Sequence, residues 1–223
     1  MINKNIKHIF FDLDHTLWDF DKNSEFTFEK IFTMNNIDLD MHIFLACYIP
    51  INTNYWKLYR DNEISKDKLK YGRLRDTFNA LDLDVSTQTI YKLSDDYVKH
   101  LSSYNFLIDG AIPILDYLNS KYELHIITNG FQEVQNAKLI NSKIDSYFNS
   151  ITNSEMAGVK KPHQKIFQLA INKAKTDFGS SIMIGDNLEA DIQGSLNAGM
   201  EAILFNYHND IVPEGIISVD KLI

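Results

Sequence analysis

The chain has 223 residues, 44% of them hydrophobic, and a formal net charge of −8 at pH 7. This length holds one large domain, or a core domain with a smaller one inserted, and the acidic balance excludes the basic surface typical of nucleic-acid-binding domains. The single cysteine, Cys47, excludes an intramolecular disulfide, and no apolar run reaches the roughly 18 residues that a membrane span needs. We therefore expect no nucleic-acid polymer and no membrane among its partners.

The first predicted element is a buried strand that ends in two aspartates. Residues 6–13 are rich in Ile, Phe and Leu, as strands of parallel sheets are. Asp12 and Asp14 come at its end and Thr16 follows, and an extended backbone points positions 12 and 14 in the same direction. Two such carboxylates repel unless a proton or a cation relieves them. The pair therefore indicates either a Mg²⁺ site, with nucleophile and acid/base roles divided between the aspartates, or a polar turn that ends the strand.

The segment after this strand, residues 18–105, is predicted to be all-helical. Its apolar side chains recur every three or four positions, and Pro50 is the only proline before residue 113. The four helices are predicted over residues 22–34, 40–60, 65–81 and 87–103.

Beyond residue 105 the pattern changes to strands that alternate with helices. Such alternation predicts a parallel sheet with right-handed crossovers, in which ligands bind beyond the carboxyl ends of the strands. We therefore predict an α/β fold, with residues 1–17 and 106–223 as the core and residues 18–105 as an inserted helical domain. The predicted strands cover residues 124–127, 151–152, 182–184 and 202–205, and the predicted helices cover residues 113–118, 131–142, 163–175 and 188–198.

Two loops of this second part carry groups that suit a phosphate. Thr128 ends a strand, and its hydroxyl, with the backbone amides of Asn129 and Gly130, could hold phosphate oxygens, although Asn-Gly is also an ordinary turn. Lys161 directly precedes a proline that opens a helix, where its charge could neutralise a phosphate and a carboxylate nucleophile. A solvated basic loop is the alternative, and Lys160 competes for the same role.

A third loop adds carboxylates to the same edge of the predicted sheet. Asp186 ends an apolar strand, and Asp191 lies in the first turn of the next helix, where the helix dipole favours a negative charge. Each is an ordinary residue for a turn or a helix start when it is taken alone. Together with Asp12 and Asp14 they would complete the oxygen-rich shell that Mg²⁺ prefers.

These loops resemble the four motifs of the haloacid dehalogenase (HAD) superfamily, in the family's order and over the whole chain. The resemblance implies a Rossmann-like core flanked by helices, with an inserted all-α cap domain of the C1 type. The motifs are Asp12-x-Asp14-x-Thr16, Thr128-Asn129-Gly130 after two hydrophobic residues, Lys161-Pro162, and Gly185-Asp186-x₄-Asp191.

The resemblance also implies the chemistry of the acidic residues. Asp12 would be the nucleophile that forms an aspartyl-phosphate, and Asp14 would protonate the leaving oxygen and then activate water. Mg²⁺ would be held by Asp12, the backbone carbonyl of Asp14 and Asp186, with Asp191 steadying the metal shell. Because a halide leaving group needs no proton and an alkoxide does, Asp14 favours phosphate-ester hydrolysis over dehalogenation.

The same resemblance assigns the phosphate-binding groups. Thr128, with the loop of Asn129 and Gly130, would bind the phosphoryl group together with a lysine. In the family this lysine directly precedes the proline, which favours Lys161 over Lys160.

A narrower resemblance is to the YjjG/YfnB type of pyrimidine 5′-nucleotidases, carried by residues 10–20, 56–60, 73–78 and 185–192. It implies a small phosphate monoester as substrate, most simply a pyrimidine nucleoside monophosphate. A nucleobase needs a flat surface to stack on, which aromatic residues could provide, although core packing is the alternative for each of them. The candidates are Trp18, Phe20, Tyr55, Trp56 and Tyr59.

Other functions stay open at the level of sequence. A phosphatase for phosphoglycolate or a sugar phosphate, or a phosphosugar mutase, would use the same motifs, and a catalytically silent binding protein could use the same fold. Residues 1–5 lead into the first strand without an apolar leader, so we expect a cytoplasmic protein. The patterns predict no oligomeric state.

Overall fold

The computed structural model describes residues 5–222, so residues 1–4, which bear on the expected absence of a leader, lie outside the described residues. The chain divides into two compact units. One unit runs to Phe20 and resumes at Asn105, and the other is Asp21–Tyr104, where the sequence predicted an inserted domain over residues 18–105. Within residues 5–222, no helix combines the length and the apolar character that crossing a membrane requires.

The helices and strands follow the predicted alternation. The helices are α1 (Phe20–Met34), α2 (Met41–Arg60), α3 (Lys66–Ala80), α4 (Thr87–His100), α5 (Ala111–Asn119), α6 (Gln132–Asn141), α7 (Ser154–Ala157), α8 (Gln164–Ala174) and α9 (Gly194–Ala198). The strands are β1 (His8–Phe11), β2 (Glu123–Thr128), β3 (Phe148–Asn153), β4 (Ser181–Gly185), β5 (Glu201–Phe205) and β6 (Ser218–Val219).

The first unit is built on a six-stranded sheet in the order β3-β2-β1-β4-β5-β6, and all its pairs are parallel. Phe10 pairs with His125 of β2 and with Met183 of β4, so β1 lies in the middle of the sheet. Phe10 and Met183 pack with Phe167 of α8 in a buried cluster. This architecture confirms the predicted α/β fold and explains the apolar run of β1, because central parallel strands are covered on both faces.

The strand order reverses beside β1. From β1 the strand order runs through β2 to β3 at one edge of the sheet. The chain then returns to the middle, where β4 pairs with β1 and the order continues toward the other edge. Open α/β sheets bind ligands outside the carboxyl ends of the strands at such a reversal. The loops after β1, β2 and β4, which carry three of the four predicted motifs, begin at this edge.

The second unit has an aromatic core of its own. The ring of Phe28 stacks on Tyr97 with 4.6 Å between the ring centroids and meets Phe44 edge-on at 4.7 Å. Arg73 is buried here, with its guanidinium 4.9 Å from the Tyr97 centroid and Nη1 donating to Asn52 Oδ1 at 2.9 Å. A cation–π contact and a hydrogen bond thus compensate the buried charge.

The structure differs from the predicted elements in the last third of the chain. The predicted helix over residues 188–198 is a π-helical turn, Leu188–Gln193, that continues into α9. In this wide turn the backbone N–H of Ile192 donates to Asn187 O at 3.3 Å, and the Asn187 N–H donates to Asp191 Oδ2 at 3.0 Å. The short elements α7 and β6 were not predicted, because four-residue and two-residue segments show no periodicity.

Candidate active site

The loop after β1 turns back sharply on itself. His15 has a φ of 62°, a left-handed conformation that His adopts more readily than most residues. Its backbone N–H donates to Trp18 O, and the Trp18 N–H donates to Leu13 O, both at 2.9 Å. This hydrogen-bonded turn fixes the backbone that carries Asp14.

Lys161 lies at the centre of the site and is 2% exposed. Its Nζ is 2.6 Å from Asp12 Oδ1 and 2.5 Å from Asp191 Oδ1, and it donates to Ile127 O at 2.7 Å. The structure therefore brings three of the predicted site residues, from three separate loops, into direct contact.

Asn129 positions the backbone of this lysine. Its Oδ1 accepts from the Lys161 N–H at 2.8 Å, and its Nδ2 donates to Lys161 O at 3.1 Å. The peptide bond between Lys161 and Pro162 is cis. The side chain of Asn129 thus links the second motif to the third, a contact that its predicted place in a phosphate-binding loop did not indicate. The competing lysine, Lys160, is half-buried, and its carbonyl accepts from the His163 N–H at 2.9 Å.

The pKa values in this cluster reflect the position of the Lys161 ammonium among several carboxyl groups. Burial raises the pKa of Asp12 well above its usual value, Lys161 opposes this, and Asp191, Asp186 and Asp14 add to it. Burial acts to lower the pKa of Lys161, but Asp12 and Asp191 outweigh it and raise that pKa, so the lysine stays charged. The cluster therefore holds more carboxyl groups than Lys161 alone can neutralise.

The excess of carboxyl groups over lysine suits the binding of a divalent cation. Carboxylate oxygens of Asp12, Asp186 and Asp191 all lie within 4.8 Å of one another. Asp186 is also approached by Thr16, whose Oγ1 donates to Oδ1 at 3.4 Å, and by His15, whose Nδ1 is 3.7 Å from Oδ2. Oxygen-only donors and a local excess of negative charge are the conditions that Mg²⁺ favours.

Asp191 fits behind this cluster because position 185 is a glycine. A Cβ at Gly185 would collide with the Asp191 carboxyl group, and Asp191 itself is 1% exposed. With one oxygen at Lys161 and the other accepting from the Asn187 N–H, Asp191 is well placed to orient neighbouring groups.

Thr128 is held by its own loop. Its Oγ1 accepts from Gln135 Nε2 at 2.6 Å and from the Gly130 N–H at 3.1 Å, and the residue is 1% exposed. A Cβ at Gly130 would collide with the Gln135 side chain, so the glycine makes room for this contact. The hydroxyl of Thr128 is therefore fixed in place at the carboxyl end of β2.

Two residues that the sequence analysis did not identify contact Asp14. Lys138 Nζ is 2.5 Å from Asp14 Oδ1, and Gln135 Nε2 donates to Asp14 Oδ2 at 3.2 Å. Burial lowers the pKa of Lys138, and Asp14 opposes this. The sequence did offer one signal, which is the spacing of Gln135 and Lys138. Residues three apart on a helix share a face, and a helix that starts directly after a motif can turn that face toward the site.

The five predicted aromatic contacts divide between the two units. Trp18 is fully buried. Lys138 Nζ lies 4.2 Å from the centroid of the Trp18 ring and 5.3 Å from the centroid of the Phe20 ring. This placement makes Trp18 a packing residue, so it does not support the prediction that a substrate stacks on this ring. In the helical unit, Tyr55 OH donates to Asp76 Oδ2 at 2.6 Å, and Trp56 meets Tyr59 edge-on at 5.8 Å between centroids.

The fold and this arrangement of loops define a class of protein. The family model of haloacid dehalogenase-like hydrolases matches residues 6–199. The chain therefore belongs to the haloacid dehalogenase-like hydrolases, as the four motifs predicted.

Particular relatives narrow the comparison. The pyrimidine 5′-nucleotidase YjjG of Escherichia coli (strain K12) is 31% identical over 214 residues, 93% of this chain and 89% of that protein. The pyrimidine 5′-nucleotidase PynA of Streptococcus pneumoniae (strain ATCC BAA-255 / R6) is 32% identical over 91% of this chain and 85% of that protein. A glyceraldehyde 3-phosphate phosphatase of Pyrococcus abyssi (strain GE5 / Orsay) is 32% identical over 91% and 82%.

A solved structure shows the same fold with a metal bound. The crystal structure of the HAD-family protein YfnB from Bacillus subtilis, bound to magnesium, matches 98% of this chain and 96% of its own. Its TM-score is 0.88 at 26% sequence identity. The resemblance to the YjjG/YfnB type is thus confirmed at the level of sequence and fold.

Proposed function

We propose that this protein is a Mg²⁺-dependent phosphate monoester hydrolase that works through a phosphorylated Asp12, with nucleoside monophosphates as substrates. The observation that supports this best is the pair of aspartates after β1, held in different surroundings. Asp12 is buried against Lys161, whereas Asp14 is partly exposed and bonded to Lys138 and Gln135. Two carboxyl groups in different environments can take different roles.

In the first step, an Asp12 oxygen attacks the phosphorus atom and the bond to the ester oxygen breaks. The departing oxygen takes the proton of the Asp14 carboxyl group, so that a neutral alcohol leaves and Asp12 carries the phosphoryl group. Lys161, which is fixed beside Asp12, offsets the negative charge of the transferring group together with the Thr128 hydroxyl.

In the second step, Asp14 takes a proton from a water molecule whose oxygen attacks the phosphorus atom. The bond between phosphorus and Asp12 breaks, and inorganic phosphate and the free carboxylate are released. Asp14 returns to its acid form, so the cycle consumes one water and one ester and leaves the enzyme unchanged.

Mg²⁺ would be held by Asp12, Asp186 and the backbone carbonyl of Asp14, with Asp191 behind them. When bound, it would neutralise the carboxylates and the phosphate so that a negatively charged nucleophile can approach a negatively charged substrate. The carboxylate oxygens of Asp12, Asp186 and Asp191, which lie within 4.8 Å of one another, are the feature of this chain that supports such an ion.

The nucleotide specificity rests on the relatives. Two of them are pyrimidine 5′-nucleotidases at 31% and 32% identity over most of this chain. The similar match to a glyceraldehyde 3-phosphate phosphatase favours a small phosphorylated aldehyde or sugar as the second candidate class.

A phosphate-release screen tests both levels of the proposal. The purified protein is given dUMP, dTMP, UMP, glyceraldehyde 3-phosphate and phosphoglycolate, each with MgCl₂ and with a chelator. We expect phosphate release from the nucleotides, its loss on chelation and its return when Mg²⁺ is restored. Turnover of none of these esters would contradict a phosphatase, and faster turnover of the triose or glycolate ester would contradict only the nucleotide preference.

A further inference from the structure

Asp14 is held by side chains from α6 at both of its carboxyl oxygens. Lys138 Nζ is 2.5 Å from Oδ1, and Gln135 Nε2 donates to Oδ2 at 3.2 Å. Both donors stand on one face of α6, three residues apart. A carboxyl group that is bonded at only one oxygen can rotate about its last torsion, whereas two donors on two oxygens fix the plane of the group.

The burial of Lys138 gives this contact its significance. The Lys138 side chain is 3% exposed, whereas Asp14 is 23% exposed. An ammonium group loses several kcal/mol of hydration free energy on burial, and a Met of similar length would pack without that loss. The ring faces of Trp18 and Phe20 and the Asp14 carboxylate are the partners that offset this loss. An ion pair between a buried cation and a partly exposed carboxylate contributes little to stability. A functional role explains the burial of Lys138 better.

Gln135 connects this contact to the phosphate side of the site. The same Nε2 donates to Thr128 Oγ1 at 2.6 Å and to Asp14 Oδ2, so one amide group sets the position of both side chains. The glycine at position 130 is what gives the Gln135 side chain its space. The loop after β2 and the first turns of α6 thus form one unit that orients Asp14.

We propose that Lys138, assisted by Gln135, is a positioning residue that holds the Asp14 carboxyl group in the orientation from which it passes a proton to the leaving oxygen. The inference rests on the proposed function and assigns a task to helix α6 within it. Lys138 itself donates no proton to the substrate. After the transfer Asp14 is a carboxylate, and the two hydrogen bonds from α6 stabilise that form.

The role predicts a dependence on the leaving group. An alkyl ester such as dUMP expels an alkoxide and needs the proton, whereas p-nitrophenyl phosphate expels a stable phenolate that leaves without one. The ratio kcat/KM reports the steps up to the formation of phosphorylated Asp12, so it isolates this proton transfer from the later hydrolysis. A residue that bound the phosphate would affect both esters alike.

The experiment compares Lys138→Met and Lys138→Arg with the wild type on both esters. Positioning of a general acid accounts for part of the 10²- to 10⁴-fold that such groups contribute, so we expect Lys138→Met to lower kcat/KM for the alkyl ester roughly 10- to 100-fold. For p-nitrophenyl phosphate we expect less than about a threefold loss, because its leaving group needs no acid. Lys138→Arg, which keeps the charge, should recover part of the lost activity, and Lys121→Met, a change at an exposed lysine, should match the wild type.

A double-mutant cycle with Asp14→Asn separates positioning from packing. If Lys138 acts through Asp14, Lys138→Met should cause little further loss in the Asp14→Asn background. Equal losses on both esters, or full additivity in the cycle, would overturn the inference and leave the phosphatase intact. A wild-type protein that hydrolyses neither ester would instead overturn the proposed function itself.

Discussion

Two buried basic side chains of the same unit differ in charge, although burial acts to lower the pKa of both. Lys161, at the carboxyl edge of the sheet, keeps its charge because it lies between the carboxylates of Asp12 and Asp191. His125, in the first half of β2, is fully buried, and burial together with the neighbouring His8 lowers its pKa from 6.5 to about 4. It is therefore neutral at pH 7, with Nδ1 at 2.9 Å from Ser150 Oγ and Nε2 at 3.1 Å from His8 Nδ1.

The difference separates the part of the unit that we expect to do chemistry from the part that holds it together. A neutral histidine with both ring nitrogens hydrogen-bonded is a stable core residue. A charged lysine surrounded by more carboxylates than it can neutralise contributes little to stability. Such an arrangement is expected where an anionic substrate and a cation bind. Substitutions at the carboxyl edge should thus change activity, whether or not they also change stability, and substitutions around His125 should change stability alone.

The largest effect is expected at Asp12. Asp12→Asn removes the proposed nucleophile, and we expect phosphate release to fall at least about 1,000-fold. Because the change also removes one charge from a crowded carboxylate cluster, the midpoint of thermal unfolding should stay the same or rise. The matched control is Asp109→Asn, at an exposed position. Comparable activity in the two variants would contradict the claim that the carboxyl edge of the sheet determines activity.

Lys161→Met should affect both properties. The change leaves Asp12 and Asp191 buried without their cation, so we expect a loss of roughly 3–5 kcal/mol in the free energy of unfolding. We also expect at least about a 100-fold loss of activity, since the positive charge that we propose for the transferring phosphoryl group is gone.

Lys160→Met is the control for this prediction, because the two lysines are adjacent in sequence. Unfolding in urea and initial rates of phosphate release give the two readouts. A larger effect at Lys160 than at Lys161 would contradict the assignment of the central cation.

The stability around His125 should depend on pH. Above pH 6.5 the residue is neutral in both the folded and the unfolded chain. Between pH 6.5 and about 4, His125 binds a proton in the unfolded chain but stays neutral in the folded chain. Stability should therefore fall as pH falls through this window, by at most about 3 kcal/mol from this one residue.

His125→Phe tests this dependence, since phenylalanine fills the site without titrating. The free energy of unfolding, measured from pH 7 to pH 4, should fall less steeply in the variant than in the wild type, while activity at pH 7 changes less than about twofold. Parallel pH profiles for the two proteins would show that His125 is not neutral in the folded state.

The smallest effect is expected from Ser150→Ala. Removing the hydroxyl leaves the buried His125 Nδ1 without its partner, at a cost of about 1 kcal/mol and with no change in activity. Ser142→Ala is a sharp control, because the buried Ser142 Oγ makes no hydrogen bond within residues 5–222, and its removal should be neutral. If the two serine variants lose the same stability, the hydrogen bond to His125 contributes nothing.

The amino-acid sequence predicts the sheet and its polar edge because both depend on local patterns. The apolar run before Asp12 and the runs before Thr128 and Asp186 mark central strands, and parallel strands that neighbour one another must end at one edge. The meeting of Lys161 with Asp12 follows from the same topology once the third motif is placed.

The contacts of Asp14 could not be predicted in this way. Gln135 and Lys138 lie on a helix whose pattern looks like that of any amphipathic surface helix, and only the packing of α6 against the loop after β1 turns them toward Asp14. Trp18 is a second case, because the sequence left stacking and core packing open for this residue and only the fold shows that it is completely buried. Both cases depend on tertiary packing, which a local pattern does not determine.

The central claim is that Asp12 carries the phosphoryl group during turnover. The most direct measurement is rapid acid quenching of the protein during turnover of dUMP with Mg²⁺, followed by mass spectrometry of the peptide that contains Asp12. We predict that this peptide gains the mass of one phosphoryl group on Asp12 and that the gain is absent in Asp12→Asn. Turnover that proceeds with no phosphorylated Asp12, and that persists in Asp12→Asn, would contradict the claim.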